Sequence, residues 1–170
     1  MSTISSVQNC PFCVDNPRGL QIIHNQVLFQ THNWTVVFDH KPMTKGHLIA
    51  LPTLHHDTRF DLTREETADF YEVQQRIQRI YRHVFGHDAC LFYDKNRLGI
   101  PHFQIHVMPA TSIWQLIWLQ VKLFFRSFPI PVWTLSPQRL QELRQEFTVP
   151  EMQEGYSPLH CCEEHSTAET

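Results

Sequence analysis

Pro101-His-Phe-Gln-Ile-His-Val-Met-Pro109 is the stretch on which the fold turns. Prolines bound it, and between them residues alternate with the period of a strand. His102, Gln104, His106 and Met108 fall on one face, while Phe103, Ile105 and Val107 fall on the other. Two imidazoles and an amide in a row are costly to bury without partners. Taken alone, the stretch also fits a half-exposed edge strand that is polar on its wet side. Which description holds depends on what the rest of the chain brings to that face.

Working outward, four more segments read as strands. Gln26 to Thr31 and Trp34 to Asp39 flank a polar, turn-like Thr31-His32-Asn33 step. The apolar run His47 to Leu51 follows Lys45-Gly46 and is closed by Pro52, and Ala89 to Tyr93 is a fourth. Between the third and fourth lies the clearest helix. Thr63 followed by Glu66 is a capping box, Phe70, Val73, Ile77, Ile80, Tyr81 and Val84 recur at helical spacing, and Gly86 ends it. A helix of this length needs a partner for its apolar stripe. The expected architecture is therefore α+β: an antiparallel sheet with one long helix packed on it, plus a C-terminal helical extension.

That extension has two parts. Ile113 to Phe128 is helix-like and heavily apolar, with Trp114, Trp118, Phe124, Phe125 and Phe128, and Gln115, Lys122 and Arg126 roughly on one side. After Pro129 and Pro131, Ser136 as N-cap and Pro137 at the first helical position open a short helix with Leu140, Leu143 and Phe147 inward. The polar segment from Gln153 to Thr170, with Cys161 and Cys162, is expected to be disordered. The domain plan is 1–110 as the sheet-and-helix domain with the Cys10–Cys13 knuckle at its start, 111–150 as the aromatic-rich helical extension and 151–170 as a disordered tail.

A chain of 170 residues is long enough for one domain with a real core. Its formal net charge of −3 gives no global attraction to nucleic acid, so no nucleic-acid partner is expected. No apolar stretch reaches the roughly 20 residues that span a bilayer. Five cysteines, an odd number, do not suggest a disulfide framework, and Met1 to Val7 lacks a secretory pattern. A reducing, cytoplasmic setting is the expectation.

Cys10-Pro-Phe-Cys13 offers two thiols at chelate spacing. A structural zinc would need two further nitrogen or sulfur ligands, and His55, His56 and His102 are available. A redox pair is the competing reading, although such pairs sit at a helix start after a strand. Inert thiols are the third.

Four pieces together resemble the histidine-triad family: Cys10 to Cys13, the segment Phe38 to His55 around Gly46-His47, the capped helix, and His102 to Pro109. The match runs over about residues 10 to 110. The resemblance implies a compact α+β fold that binds nucleoside phosphates, with an adenylate-like ligand held against the triad strand, and cleavage of nucleotidyl bonds in phosphoramidates or dinucleoside polyphosphates. It further implies zinc ligands at Cys10, Cys13, His55 and His102, a carboxylate at Asp39 for the ribose hydroxyls, and substrate contacts from His102, Gln104 and His106. Family members often dimerise, so a homodimer is carried as an expectation.

Two departures bear on activity. The family's middle histidine attacks phosphorus, and here that position is Gln104. An amide nitrogen has no useful basicity and cannot replace imidazole as nucleophile. The usual polar loop upstream is replaced by Leu98-Gly99-Ile100-Pro101, with Lys95, Asn96 and Arg97 as alternative sources of charge. Three explanations stand: binding without turnover, direct water attack with His106 as acid/base, or an inactivating substitution. The function expected is thus a nucleotide-phosphate-binding protein with weak or altered hydrolase or transferase activity. Its alternative is a silent nucleotide-binding or scaffold module working through the extension. The Trp-rich segment 113–133 is expected to cover the sheet or close a dimer, with peripheral membrane contact as the competing reading.

Overall fold

The computed structural model describes residues 10, 12–13, 26–95, 102–110, 112–125 and 134–148. Five strands, β1 (Val27–Gln30), β2 (Trp34–Phe38), β3 (Leu48–Pro52), β4 (Cys90–Lys95) and β5 (Gln104–Pro109), form one antiparallel sheet in the order β1-β2-β3-β5-β4. Three α-helices accompany it: α1 (Arg64–Phe85), α2 (Ile113–Phe125) and α3 (Pro137–Phe147). The α+β expectation holds.

The edge-strand description of the decisive stretch does not. β5 lies between β3 and β4, pairing Ile49 with His106 on one side and Tyr93 with His106 on the other. Every residue of β5 is buried. The strand also starts two residues later than the alternation suggests. The Phe103 N–H is spent on the His56 carbonyl at 2.6 Å, outside the ladder.

Both faces of the sheet carry buried apolar residues. One face buries Phe29, Val36, Phe38, Leu48, Ala50, Ile105 and Val107 against α1. Helix α1 starts at the expected capping box, with the Thr63 hydroxyl accepting from the Glu66 N–H at 3.1 Å and the Glu66 carboxylate accepting from the Thr63 N–H at 2.7 Å. It ends at Gly86 in the left-handed region (φ 77°). Its buried Val73, Ile77, Ile80 and Tyr81 meet the sheet. Helix α3 docks on this same face, and Leu140, Leu143 and Phe147 join the main core cluster. The face expected to carry one helix therefore carries two.

The opposite face holds the polar residues. There Val27, Val37, Ile49 and Leu51 pack with Phe12 near the knuckle, and Met43, Leu91 and Met108 pack with Leu119 of α2. Between these two apolar patches run Asp39, His47, Gln104 and His106, all buried. No described helix is long and apolar enough to cross a membrane. The expected loop 96–101, residues 126–133 and the tail lie outside the described residues.

Candidate functional site

Two side-chain centres sit on the polar face. The first joins the N-terminal knuckle to the end of β3 and the approach to β5. Cys10 Sγ lies 3.3 Å from His102 Nδ1, Cys13 Sγ lies 3.1 Å from His55 Nδ1, and Cys13 Sγ lies 3.6 Å from His102 Nδ1. Four nitrogen and sulfur donors thus converge from positions 10, 13, 55 and 102, and the group could hold a metal ion.

Orientation and protonation both suit metal binding. His102 turns Nδ1 toward the thiols while its Nε2–H donates to the Pro52 carbonyl at 3.1 Å. A ligating histidine ordinarily has the proton of its outer nitrogen anchored in this way. Burial lowers the His102 pKa to about 4, against the opposing pull of the Pro52 carbonyl, so the ring is neutral at physiological pH. Neutral imidazole is the metal-binding form. His55 Nε2 is 3.4 Å from Asp57 Oδ1. The donor set and its setting fit a tetrahedral structural ion.

His56, the neighbouring candidate, has another task. Its Nε2 donates to Glu66 Oε1 at 2.8 Å while its carbonyl receives the Phe103 N–H. Burial opposes ionisation of Glu66, but the Thr63 N–H, His56 and the Thr63 hydroxyl together outweigh it and hold the carboxyl below its usual range. The start of α1 is thereby tied to the loop that carries His55. Trp34 Nε1–H adds a bond to the Glu66 carbonyl at 2.8 Å.

The second centre is Asp39, His47 and His106, which the fold gathers from the end of β2, the start of β3 and the middle of β5. The Met43 N–H donates to His47 Nδ1 at 3.1 Å, which leaves the His47 proton on Nε2. That nitrogen faces His106 Nδ1 at 2.9 Å. His106 Nδ1 must then accept, and its own proton sits on Nε2. A backbone amide in the β2–β3 turn thus sets the tautomers of two histidines in series. Asp39 Oδ1 accepts from the Lys41 N–H at 2.9 Å, and Oδ2 stands 3.4 Å from His47 Nδ1 and 3.9 Å from His106 Nδ1.

Gln104 lies on the same strand face as His106, paired with Lys95 of β4 and 2 % exposed. His106 is 6 % exposed and faces the Tyr93 ring, centroid to centroid 6.2 Å. His102 belongs with the thiols and His106 with His47, so the one-face pattern of β5 feeds two separate centres. Sequence reasoning missed the role of His47. Its only signal was membership of the Gly46-His47 stretch, because a lone histidine at a strand start carries no pattern of its own.

A cavity of about 270 Å³ lies on the helix side, between the turn around Lys45-Gly46 and α3. Its cations are already paired, Lys45 with Glu146 at 2.5 Å and Arg139 with Glu142 at 2.6 Å, so it is poorly suited to a phosphate.

Residues 2–123 match a family described as "Protein similar to CwfJ C-terminal". The chain belongs to this histidine-triad-like family. Among solved structures, a histidine-triad-like protein of Bartonella henselae is similar over 82 % of this chain and 94 % of its own, at 15 % identity and a TM-score of 0.58. A zinc-bound histidine-triad protein of Mycobacterium smegmatis covers 83 % of this chain and 94 % of its own, at 21 % identity and a TM-score of 0.54. Among curated proteins, the nitrilase and fragile histidine triad fusion protein NitFhit of Caenorhabditis elegans is 27 % identical over 92 residues, 52 % of this chain. The chain spans about a fifth (21 %) of that relative's length. These histidine-triad relatives agree with the α+β sheet described above.

Proposed function

We propose that this histidine-triad-like protein binds a nucleoside monophosphate group on the face formed by Gln104 and His106, and that it turns such compounds over slowly or not at all. The observation that carries the reading is the Met43–His47–His106 series, in which one tautomer chain holds the His106 Nε2 proton in place. A fixed N–H donor beside a strand is the kind of group that stabilises phosphate oxygens. Asp39 is assigned the ribose hydroxyls through Oδ2, which accepts no hydrogen bond among the described residues. At 2 % exposure, this carboxylate needs a movement of its neighbours to reach a ribose.

Gln104 takes the place of the nucleophilic imidazole in this reading. Its amide forms no covalent nucleotidyl intermediate, so any hydrolysis proceeds by direct attack of water on phosphorus. Gln104 then orients the water or a phosphate oxygen and the His106 Nε2–H hydrogen-bonds a phosphate oxygen, while the new O–P bond replaces the P–N bond and the proton given up by the water leaves on the departing amine. Cys10, Cys13, His55 and His102 would hold a zinc ion that supplies structural cross-linking of the knuckle to β3 and β5.

The test is AMP release from an adenosine phosphoramidate, comparing the chain with Gln104→His. Expected are AMP binding by both and a gain of at least about 10²-fold in turnover for the variant, the scale of a positioned catalytic group. Absence of AMP binding in both would remove the nucleotide reading. Rapid turnover by the unmodified chain would remove the assignment of Gln104.

A further inference from the structure

The two histidines that converge on the thiols come from segments that the sheet leaves apart. Strand β3 pairs with β2 as far as Pro52, and the Thr53 N–H still reaches the Asn33 carbonyl at 2.8 Å. Its pairing with β5 stops earlier, at Ala50 and Ile105. The two chains therefore part where His55 and His102 must meet. His102 is fixed on its own side, buried and with its Nε2–H on the Pro52 carbonyl. His55 has no such seat. No residue from Thr53 to Glu65 is buried, and Leu54 is 63 % exposed. A ligand carried on a surface loop needs something other than the core to hold it.

His56 spans the gap. Its carbonyl accepts the Phe103 N–H at 2.6 Å, which joins the residue after one histidine ligand to the residue after the other. Its Nε2–H donates to Glu66 Oε1 at 2.8 Å. Glu66 is itself buried and held at several points. Its Oε2 accepts from the Thr63 N–H at 2.7 Å, its N–H donates to the Thr63 hydroxyl at 3.1 Å, and its carbonyl accepts from Trp34 Nε1–H at 2.8 Å. A continuous line of hydrogen bonds thus runs from fully buried Trp34 through Glu66 and His56 to the start of β5. The four converging donors do not include His56.

We propose that His56 and Glu66 are positioning residues for the metal centre: they hold the His55 loop against β5 and so set how fast a bound ion is lost. The inference rests on the reading that Cys10, Cys13, His55 and His102 hold zinc. Ligands fixed beforehand lose little freedom on binding an ion. An ion leaves its ligands one at a time, so the least anchored ligand governs its escape. Groups that orient ligands from behind ordinarily change metal affinity by about 10–100-fold.

The experiment loads the full chain with zinc and follows transfer of the ion to a coloured chelator. His56→Ala and Glu66→Ala each speed release by at least about tenfold. Both keep the backbone bonds at positions 56 and 66. The double variant releases zinc no faster than the quicker single variant, because both changes break the same bond. His56→Gln, whose side-chain amide can donate to Glu66 in place of the imidazole, restores the wild-type rate. Tyr81→Phe, which removes a buried hydrogen bond on the helix side of the sheet, lowers the thermal midpoint of the zinc-loaded protein and leaves release unchanged. Release at the wild-type rate from either alanine variant overturns the proposal. So does release from His56→Gln as fast as from His56→Ala, which would make the imidazole a ligand, and so does an additive effect of the two alanine changes. A wild-type chain that takes up no zinc overturns the metal reading itself, and this inference with it.

Discussion

Gly46→Ala tests how the turn carrying His47 is held. Gly46 has φ +78°, a region where an L-residue costs about 1–2 kcal/mol. A Cβ there would also stand 2.9 Å from Phe147 Cζ and 2.9 Å from Phe85 Cζ. Phe85 is half-buried and can swing aside, but Phe147 is fully buried against Phe38, with centroids 5.3 Å apart. Such overpacking adds about 1–3 kcal/mol. The sum is about 2–5 kcal/mol, read from urea unfolding followed by far-UV circular dichroism. The clash term can be isolated with Phe147→Leu, which withdraws the ring end and leaves the backbone strain. The double variant should then lose about 1–2 kcal/mol less than the two single losses combined. Additivity within about 0.5 kcal/mol would mean that α3 does not press on this turn, and the account of its docking would be wrong.

Three further outcomes follow from other contacts. Tyr81 is buried, and its hydroxyl donates to the Gly46 carbonyl at 2.7 Å and lies 3.0 Å from the Val107 carbonyl. Tyr81→Phe should therefore cost about 1–3 kcal/mol in urea unfolding, and a loss below measurement error would argue against that anchor. Glu66 has its folded pKa held below 4.5, so its contribution is present above that value and lost as pH falls through the lower, folded value. The stability gap between wild type and Glu66→Gln should accordingly narrow on acidification below pH 4.5, and a gap that is flat with pH would contradict the assignment. Removing bound metal with a chelator should lower the melting temperature and expose Cys10 and Cys13 to a thiol reagent. Cys13→Ser should reproduce the lower melting temperature and be insensitive to chelator, whereas a chelator response that survives this substitution would place the metal elsewhere.

Much of the fold was legible because it is written in short-range patterns. The Thr63–Glu66 box, the stripe from Phe70 to Val84 and the Gly86 stop describe α1 almost residue by residue, since a helix's caps and period are local. The Cys10-Cys13 spacing pointed to a chelate for the same reason. Family resemblance, rather than any local pattern, singled out His55 over His56 as its partner. In the structure His55 meets Cys13 while His56 caps the arrangement at Glu66.

What the sequence determined by itself was the set of strands and helices, the alternation of β5 and the chemical types available to each face. Tertiary structure alone decided that β5 is an interior strand, that α3 joins the main core, and that His102 and His106, four residues apart on one face, serve different centres. The reason is physical. Periodicity fixes which side of its own strand a residue occupies, but not which strand lies beside it. Strand order arises from burying both faces of the sheet at once, against α1 and α3 on one side and the knuckle and α2 on the other. The His47–His106 contact joins residues 59 positions apart, and no local pattern in either segment encodes it.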